Sequence, residues 1–299
     1  MLTVYLFGPT VAAVDGRVMK DCELAGGKPR QILEILACEL GTPVSKDRLA
    51  DWLWDGSPPS SFVGSLESYV SVLRRRLGAA GVPRAFLRTS SRGYLLDPDH
   101  VDVDLAQFRR LTAVALDSTA LVALDHTERA LGLATAELLA SEPAVDWATR
   151  TRQSFQRERV TSAVRAAQLA TAIGDHTRAV AFAMRAQEWD RLSEDAGQQL
   201  MRALWFAGRR SQALRVYAEM RQNLLDELGD EPGPDSQDLY LAILRYDDAH
   251  RRGATVEAVT ELEVLLRLLR QAIDLIPGVR APASDARLSE VAVAALAAS

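Results

Sequence analysis

Three consecutive arginines, Arg74, Arg75 and Arg76, close a helical run, and Arg84, Arg88 and Arg92 follow in a short stretch ending in Arg92-Gly93-Tyr94-Leu95. A guanidinium group is a flat fork of donors, so this spacing suits bidentate contact with guanine edges or phosphate oxygens. From Ser65 to Arg92 six arginines stand against one acid, Glu67, a local balance of +5 in a chain whose net charge is −5. The positive charge is thus concentrated on one helix and one hairpin rather than spread for solubility, and any nucleic-acid contact has to come from that patch. An arginine triplet at a helix end also complements the helix dipole, which leaves a solvated C-terminus as the alternative reading of the same residues.

The elements that would position these side chains are legible around them. Leu66, Tyr69, Val70, Leu73 and Leu77 recur at helical spacing and predict one apolar stripe. Opposite it fall Ser61, Gly64, Ser68, Ser71, Val72 and Arg75, with Arg74 and Arg76 flanking. Small and hydroxylated residues let such a helix sink into a groove. Upstream, Val4, Leu6 and Val11 to Val14 read as short strands bounded by Gly8-Pro9 and Asp15-Gly16. Lys28 to Leu40 is a predicted helix stopped by Gly41 and Pro43, and Ser45 is a predicted N-cap for a helix over Lys46 to Trp54 with Leu49, Trp52 and Leu53 inward. Sheet, three helices, then a hairpin is the order of a winged helix-turn-helix.

Asp97-Pro98-Asp99 reads as a boundary, and beyond Val103 the pattern is helical. Gly174-Asp175-His176-Thr177-Arg178-Ala179 and Gly208-Arg209-Arg210-Ser211-Gln212-Ala213 share Gly-x4-Ala at an offset of 34 residues, the tetratricopeptide period. Two ordinary helical hairpins with chance spacing are the alternative. Stacked hairpins serve docking rather than chemistry. Thr255 to Ile276, with Leu262, Leu265, Leu266, Leu269 and Ile273, reads as one more amphipathic helix.

The composition, 48% hydrophobic and 25% charged over 299 residues, is that of a soluble globular chain with room for two or more domains. Cys22 and Cys38 suggest neither a disulfide framework nor a zinc site, and the expected compartment is the reducing cytoplasm. The first residues read as a strand and turn rather than a signal peptide, and no apolar run reaches membrane-spanning length. Catalytic patterns are weak. His100, His126, His176 and His250 have no second ligand at metal spacing and read as surface residues, and Gly26-Gly27-Lys28-Pro29 lacks the hydroxyl of a phosphate loop. Acidic pairs such as Asp102 with Asp104 read as solvated loop or helix-end residues. No enzyme and no cofactor is expected.

The run Gly26-Gly27-Lys28-Pro29-Arg30 to Leu36, then Pro43-Val44-Ser45-Lys46-Asp47-Arg48-Leu49, Leu53-Trp54, Pro58-Pro59, Tyr69-Val70-Ser71 with Leu73-Arg74, and Gly93-Tyr94-Leu95 resembles the Streptomyces antibiotic regulatory proteins, or SARPs. Leu225 to Leu228, Gly229, Glu231-Pro232-Gly233-Pro234 and Leu239 to Leu244 are similar to the end of their bacterial transcriptional activation domain. The resemblance covers about residues 1 to 250. It implies an OmpR-type winged helix that binds direct repeats in promoters, a helical domain that assists dimer formation and contacts RNA polymerase, and control of a secondary-metabolite gene cluster. Val72 stands where the family commonly carries Arg, with Arg75 or Arg76 as the replacement donor, and the ATPase module of the large members is missing from this sequence.

The expectation is therefore a mainly α chain: residues 1–98 an α+β winged helix-turn-helix, 99–250 an all-α tetratricopeptide-like activation domain, and 251–299 a helical extension. The expected DNA-contacting set is Lys28, Arg30, Lys46, Arg48, Ser61, Gly64, Ser65, Ser68, Ser71, Val72, Arg74, Arg75, Arg76, Arg88, Thr89 and Arg92. Expected partners are double-stranded DNA, RNA polymerase holoenzyme and a second copy on DNA, with no membrane. The alternative is a helical interaction or signal-binding regulator whose winged helix is a docking module.

Overall fold

A computed structural model describes residues 1–19 and 26–252, the side chains as far as residue 245. Cys22 and the amphipathic run Thr255 to Ile276 lie outside the described residues, and His250 is described by its backbone alone. The chain forms two compact units, one of Met1–Thr112 with Arg129–Glu158, the other of Ala113–Glu128 with the residues from Arg159 onward.

The first unit opens with β1 (Leu2–Tyr5), β2 (Val11–Val14) and β3 (Arg17–Val18). β2 and β3 turn over Asp15 and Gly16, whose φ values of 48° and 83° are those of a two-residue hairpin turn. Helices α1 (Lys28–Cys38), α2 (Lys46–Leu53) and α3 (Phe62–Ala79) follow, then the hairpin β4 (Leu87–Ser90) and β5 (Gly93–Leu96). β6 (Val101–Val103) returns to pair in parallel with β1, completing a sheet ordered β3-β2-β1-β6. The apolar stripes of the three helices meet one another: Ile32, Leu33, Ile35 and Leu36 of α1, Leu49 and Leu53 of α2, and Leu66, Val70, Leu73 and Leu77 of α3 are buried. Ser45 caps α2 as the sequence predicts, its hydroxyl accepting from the Arg48 amide at 3.1 Å. α1 ends at Cys38, two residues short of the expected Leu40. Tyr69 is half-buried against Trp54 at the edge of the stripe, and Trp52 is half-exposed beneath the Arg48 guanidinium instead of inside the core.

The break expected at Asp97 to Asp99 falls inside this unit. Asp97 is buried, and its amide donates to the Phe86 carbonyl. Immediately after β6, Asp104 begins α4 (Asp104–Leu116) and is buried too, not solvated as its loop-like setting suggests. Its carboxylate accepts from the amides of Leu6 and Phe7 at the end of β1, at 2.9 and 3.0 Å, and from Leu105 at 2.8 Å. Burial lifts this carboxyl above its ordinary range while the three amides oppose the shift. Phe7 then meets Phe108 and Phe155 in a cluster with ring centroids 5.1 to 6.5 Å apart. The segment 137–142 runs beside Leu6 to Thr10 as a ribbon, with Leu139 donating to the Leu6 carbonyl, Gly8 to Glu137 and Ala140 to Gly8. Arg152 clamps the ribbon by donating to the carbonyls of Leu139, Glu142 and Pro143. Arg109 pairs with both oxygens of Glu158 and donates to the Cys38 carbonyl, and burial pushes the Cys38 thiol up, away from reactivity.

The second unit contains α7 (His176–Trp189), α8 (Glu194–Phe206), α9 (Arg210–Leu228) and α10 (Pro234–Arg252); α5 (Ala120–Leu133) and α6 (Asp146–Ala172) each run across the division. Here the Gly-x4-Ala spacing is structural. Gly174 and Gly208 turn the chain with φ of 78° and 73°, and Ala179, Ala183, Ala186, Ala213 and Met220 are fully buried between antiparallel helices. The Glu194 carboxylate accepts from the Gly233 amide and the Ser236 hydroxyl, which ties α8 to the start of α10 and gives the Glu231-Pro232-Gly233-Pro234 turn its place. His100, in the turn before β6, and His126 and His176, on helices, are half-buried rather than fully at the surface.

Replacing Asp104 by Ala leaves three main-chain donors near the core without their acceptor, so it should destabilise the chain by about 3 kcal/mol or more in a urea melt, and Asp104→Asn by less. A fragment ending at residue 100 loses β6, Asp104, Phe108 and the ribbon and should melt without cooperativity. One ending at residue 158 should melt in a single transition by circular dichroism.

Candidate nucleic-acid interface

α3 presents Gly64, Ser68, Ser71 and Arg75 along one exposed line, with Ser61 ahead of it and Glu67 and Val63 beside it. Ser65 and Val72 are half-buried at the margins. The hairpin lies alongside. One residue joins the two: Arg74 donates to the Leu87 carbonyl at 2.8 Å and to the Thr89 hydroxyl at 2.9 Å, both on β4.

The far strand of the hairpin is held just as closely. Val44, which leads into α2, exchanges main-chain hydrogen bonds with Tyr94 at 2.8 and 3.0 Å. Gly93 makes that approach feasible, since its φ is +132° and a β-carbon there would stand 1.9 Å from the Val44 carbonyl oxygen. The positions of α2, α3 and the wing are therefore fixed by main-chain pairing on one side and by one guanidinium on the other.

Most basic side chains of the expected set are engaged within the fold. Lys28 donates to the Leu53 carbonyl and lies over the Trp54 ring. Arg30 turns inward to Glu142 at 2.7 Å and to the buried Glu34 at 3.4 Å, which is not the outward pose a phosphate contact requires. Lys46 pairs with Glu67 at 2.7 Å, which raises its pKa, and Arg48 pairs with Glu39 at 3.4 Å. Arg88 pairs with the buried Asp97 at 2.7 Å. Arg76 is exposed in the last turn of α3, where its charge also suits the helix dipole. Arg75 on α3 and Arg92 at the hairpin turn are exposed and form no ion pair among the described residues, and the same holds for Arg84, which was not in the expected set. Glu34 stands at i+4 from Arg30, a local pattern, but Glu39, Glu67, Asp97 and Glu142 lie 9 to 112 residues from the side chains they hold.

Two family models match parts of the chain. "Transcriptional regulatory protein, C terminal" matches residues 24–96, and "Bacterial transcriptional activator domain" matches residues 103–244. The regulatory protein DnrI of Streptomyces peucetius is 31% identical over 273 residues, which is 87% of this chain and 99% of that protein. The chain belongs to the Streptomyces antibiotic regulatory protein family. Another relative is the transcriptional regulator RedD of Streptomyces coelicolor, 30% identical over 77% of this chain and 69% of its own length. Among solved structures, EmbR of Mycobacterium tuberculosis in complex with a low-affinity phosphopeptide superposes with a TM-score of 0.73 at 29% identity, over 82% of this chain and 65% of that one. This SARP is accordingly a transcriptional activator with an OmpR-type DNA-binding module, and the activator-domain match begins at the residue before Asp104. The family boundary and the compact units thus differ: residues 129–158 belong to the activator match by sequence and to the first unit by packing. No helix of the described residues is long and apolar enough to cross a membrane.

Arg74→Ala should lower stability by about 1–2 kcal/mol through the two lost hydrogen bonds and should speed amide exchange in β4 and β5 ahead of the rest of the unit. Gly93→Ala should cost more, about 3 kcal/mol or above, because its new methyl meets main-chain atoms rather than a side chain that can move.

Proposed function

We propose that this SARP activates a secondary-metabolite gene cluster by seating α3 in the major groove at direct repeats upstream of a promoter, with the hairpin as a wing against the neighbouring minor groove. The observation that carries the reading is the exposed line Gly64, Ser68, Ser71 and Arg75, set beside Arg92 by the Arg74 bridge. Gly64 and the serines let the backbone approach the bases, Arg75 supplies the fork for a guanine, and Arg92 supplies charge to the wing. Ser61, Ser65, Val72 and Thr89 line the approach. Arg76 meets phosphate, while Lys28, Arg30, Lys46, Arg48, Arg74 and Arg88 act mainly by holding the reading surface, each through the partner described above. We assign DNA reading to residues 1–98 and activation to residues 99–250, which pair two copies on adjacent repeats and offer surface to RNA polymerase holoenzyme.

Arg75→Ala should weaken binding at the cognate repeat by about 1 to 3 kcal/mol with little effect on random DNA. Equal losses on both would assign Arg75 to phosphate. Arg92→Ala should reduce the slope of log affinity against log salt by roughly one, and Arg88→Ala by less, since Asp97 already neutralises it. Mobility shifts over a salt series on the upstream regions of neighbouring genes measure all three, and an absence of any shift favours the docking-module alternative.

A protein truncated after residue 158 keeps the first unit but lacks most of the helical repeats. At DNA occupancy matched to the full chain it should give little reporter transcription, because it lacks the surface that pairs copies and raises effective concentration at the second repeat. Equal output would remove the activating role from the helical half.

A further inference from the structure

α1 carries a second ionic cluster, buried against the segment 137–142. Glu34 lies one turn beyond Arg30 on the inner face of the helix, where it is 0% exposed, and neither of its carboxylate oxygens has a hydrogen-bond partner. Glu142 of the ribbon is buried beside it and accepts from Arg30 and from Gln31, each at 2.7 Å. Thr10, leading into β2, closes the third side: its amide donates to Ser141 at 2.8 Å, while its hydroxyl lies toward Glu34. The charged and titratable groups around Glu34 are therefore Arg30 and Cys38 on its own helix and Glu142 on the ribbon, with the neutral Thr10 from the sheet.

With both carboxyls ionised, two buried carboxylates face one partly exposed guanidinium, which leaves one negative charge uncompensated away from water. We propose that this cluster is a proton-linked latch: with a proton on Glu34 the 137–142 ribbon is seated against α1 and the segment Leu6 to Thr10, and loss of that proton sets two carboxylates against Arg30 and loosens the ribbon. Burial and the Glu142 charge raise the Glu34 carboxyl to about 7, opposed by Thr10 and Arg30. The sign follows from linkage. A carboxyl whose folded pKa is raised holds more protons when the latch is closed than when it is open, so closure is strongest at acid pH, weakens as pH rises from the ordinary carboxylate value, and levels off above about 7. The device belongs to the fold and holds whichever surface meets DNA.

Two measurements on the full chain test it. In isotope-labelled protein, the carbon shift of the Glu34 carboxyl should titrate near neutrality. Protection factors of the Gly8, Leu139 and Ala140 amides, normalised for intrinsic exchange at each pH, should fall on the order of fiftyfold between pH 5 and pH 8. Glu34→Gln, neutral at every pH, should hold them at the acid value throughout. The latch is overturned if Glu34 titrates in the usual carboxylate range, or if the wild-type protection factors are level across that interval. The wild-type titration decides the question even if the Gln variant fails to fold.

Discussion

A carboxylate in a protein interior has to be matched by donors on every side that faces the core, and Asp104 is matched by three main-chain amides. Leu6 and Phe7 cannot continue β1 as a strand once their N–H groups are turned to this side chain, and Leu105 begins α4 under the same oxygen. One residue thus ends the first strand, starts the helix and holds β6 in parallel register beside β1. Everything attached downstream inherits its position from that junction: the Phe7–Phe108–Phe155 cluster, the ribbon over Leu6 to Thr10, and the Arg109–Glu158 pair. The exposed line of α3 is one layer removed, on a helix whose apolar stripe is buried with those of α1 and α2.

The electrostatics of the first unit follow a division of labour. Long basic side chains that lie near a carboxylate are held by it and act as struts between elements: Lys46 to Glu67, Arg88 to Asp97, Arg30 to Glu142. A strut has little charge left to offer a polyanion. Among the described residues Arg75, Arg84 and Arg92 form no such pair and keep their charge at the surface.

Much of the fold was legible in the sequence because its signals are local. The α3 stripe, the Ser45 cap, the Asp15-Gly16 turn and the Gly-x4-Ala turns each depend on residues within a few positions of one another, and propensity and packing agree there. What escaped is long-range. Asp97-Pro98-Asp99 has the composition of a linker, yet Asp97 is buried by contacts with Phe86 and Arg88, and Asp104 has the flanks of a solvated acid until β1 is brought beside it. The interface divides in the same way. The outward line of α3 is a matter of helical period, whereas the inward turn of Arg30 depends on Glu142, 112 residues later. Leu139 adds to the difficulty, since its φ of 56° is one that no sequence pattern assigns to leucine.

The ribbon pairing has a consequence for how the protein is made. Thr10, which follows β1, leaves the ribosome well before Ser141, whose hydroxyl receives the Thr10 amide and which is synthesised 131 residues later. At ordinary elongation rates the apolar face of Leu2, Val4 and Leu6 waits on the order of ten seconds for its partners. During that interval the winged helix exists as a nascent chain with one sheet edge open and a buried acid not yet in place. Its final closure is timed by translation of a segment that, by sequence, belongs to the activator half.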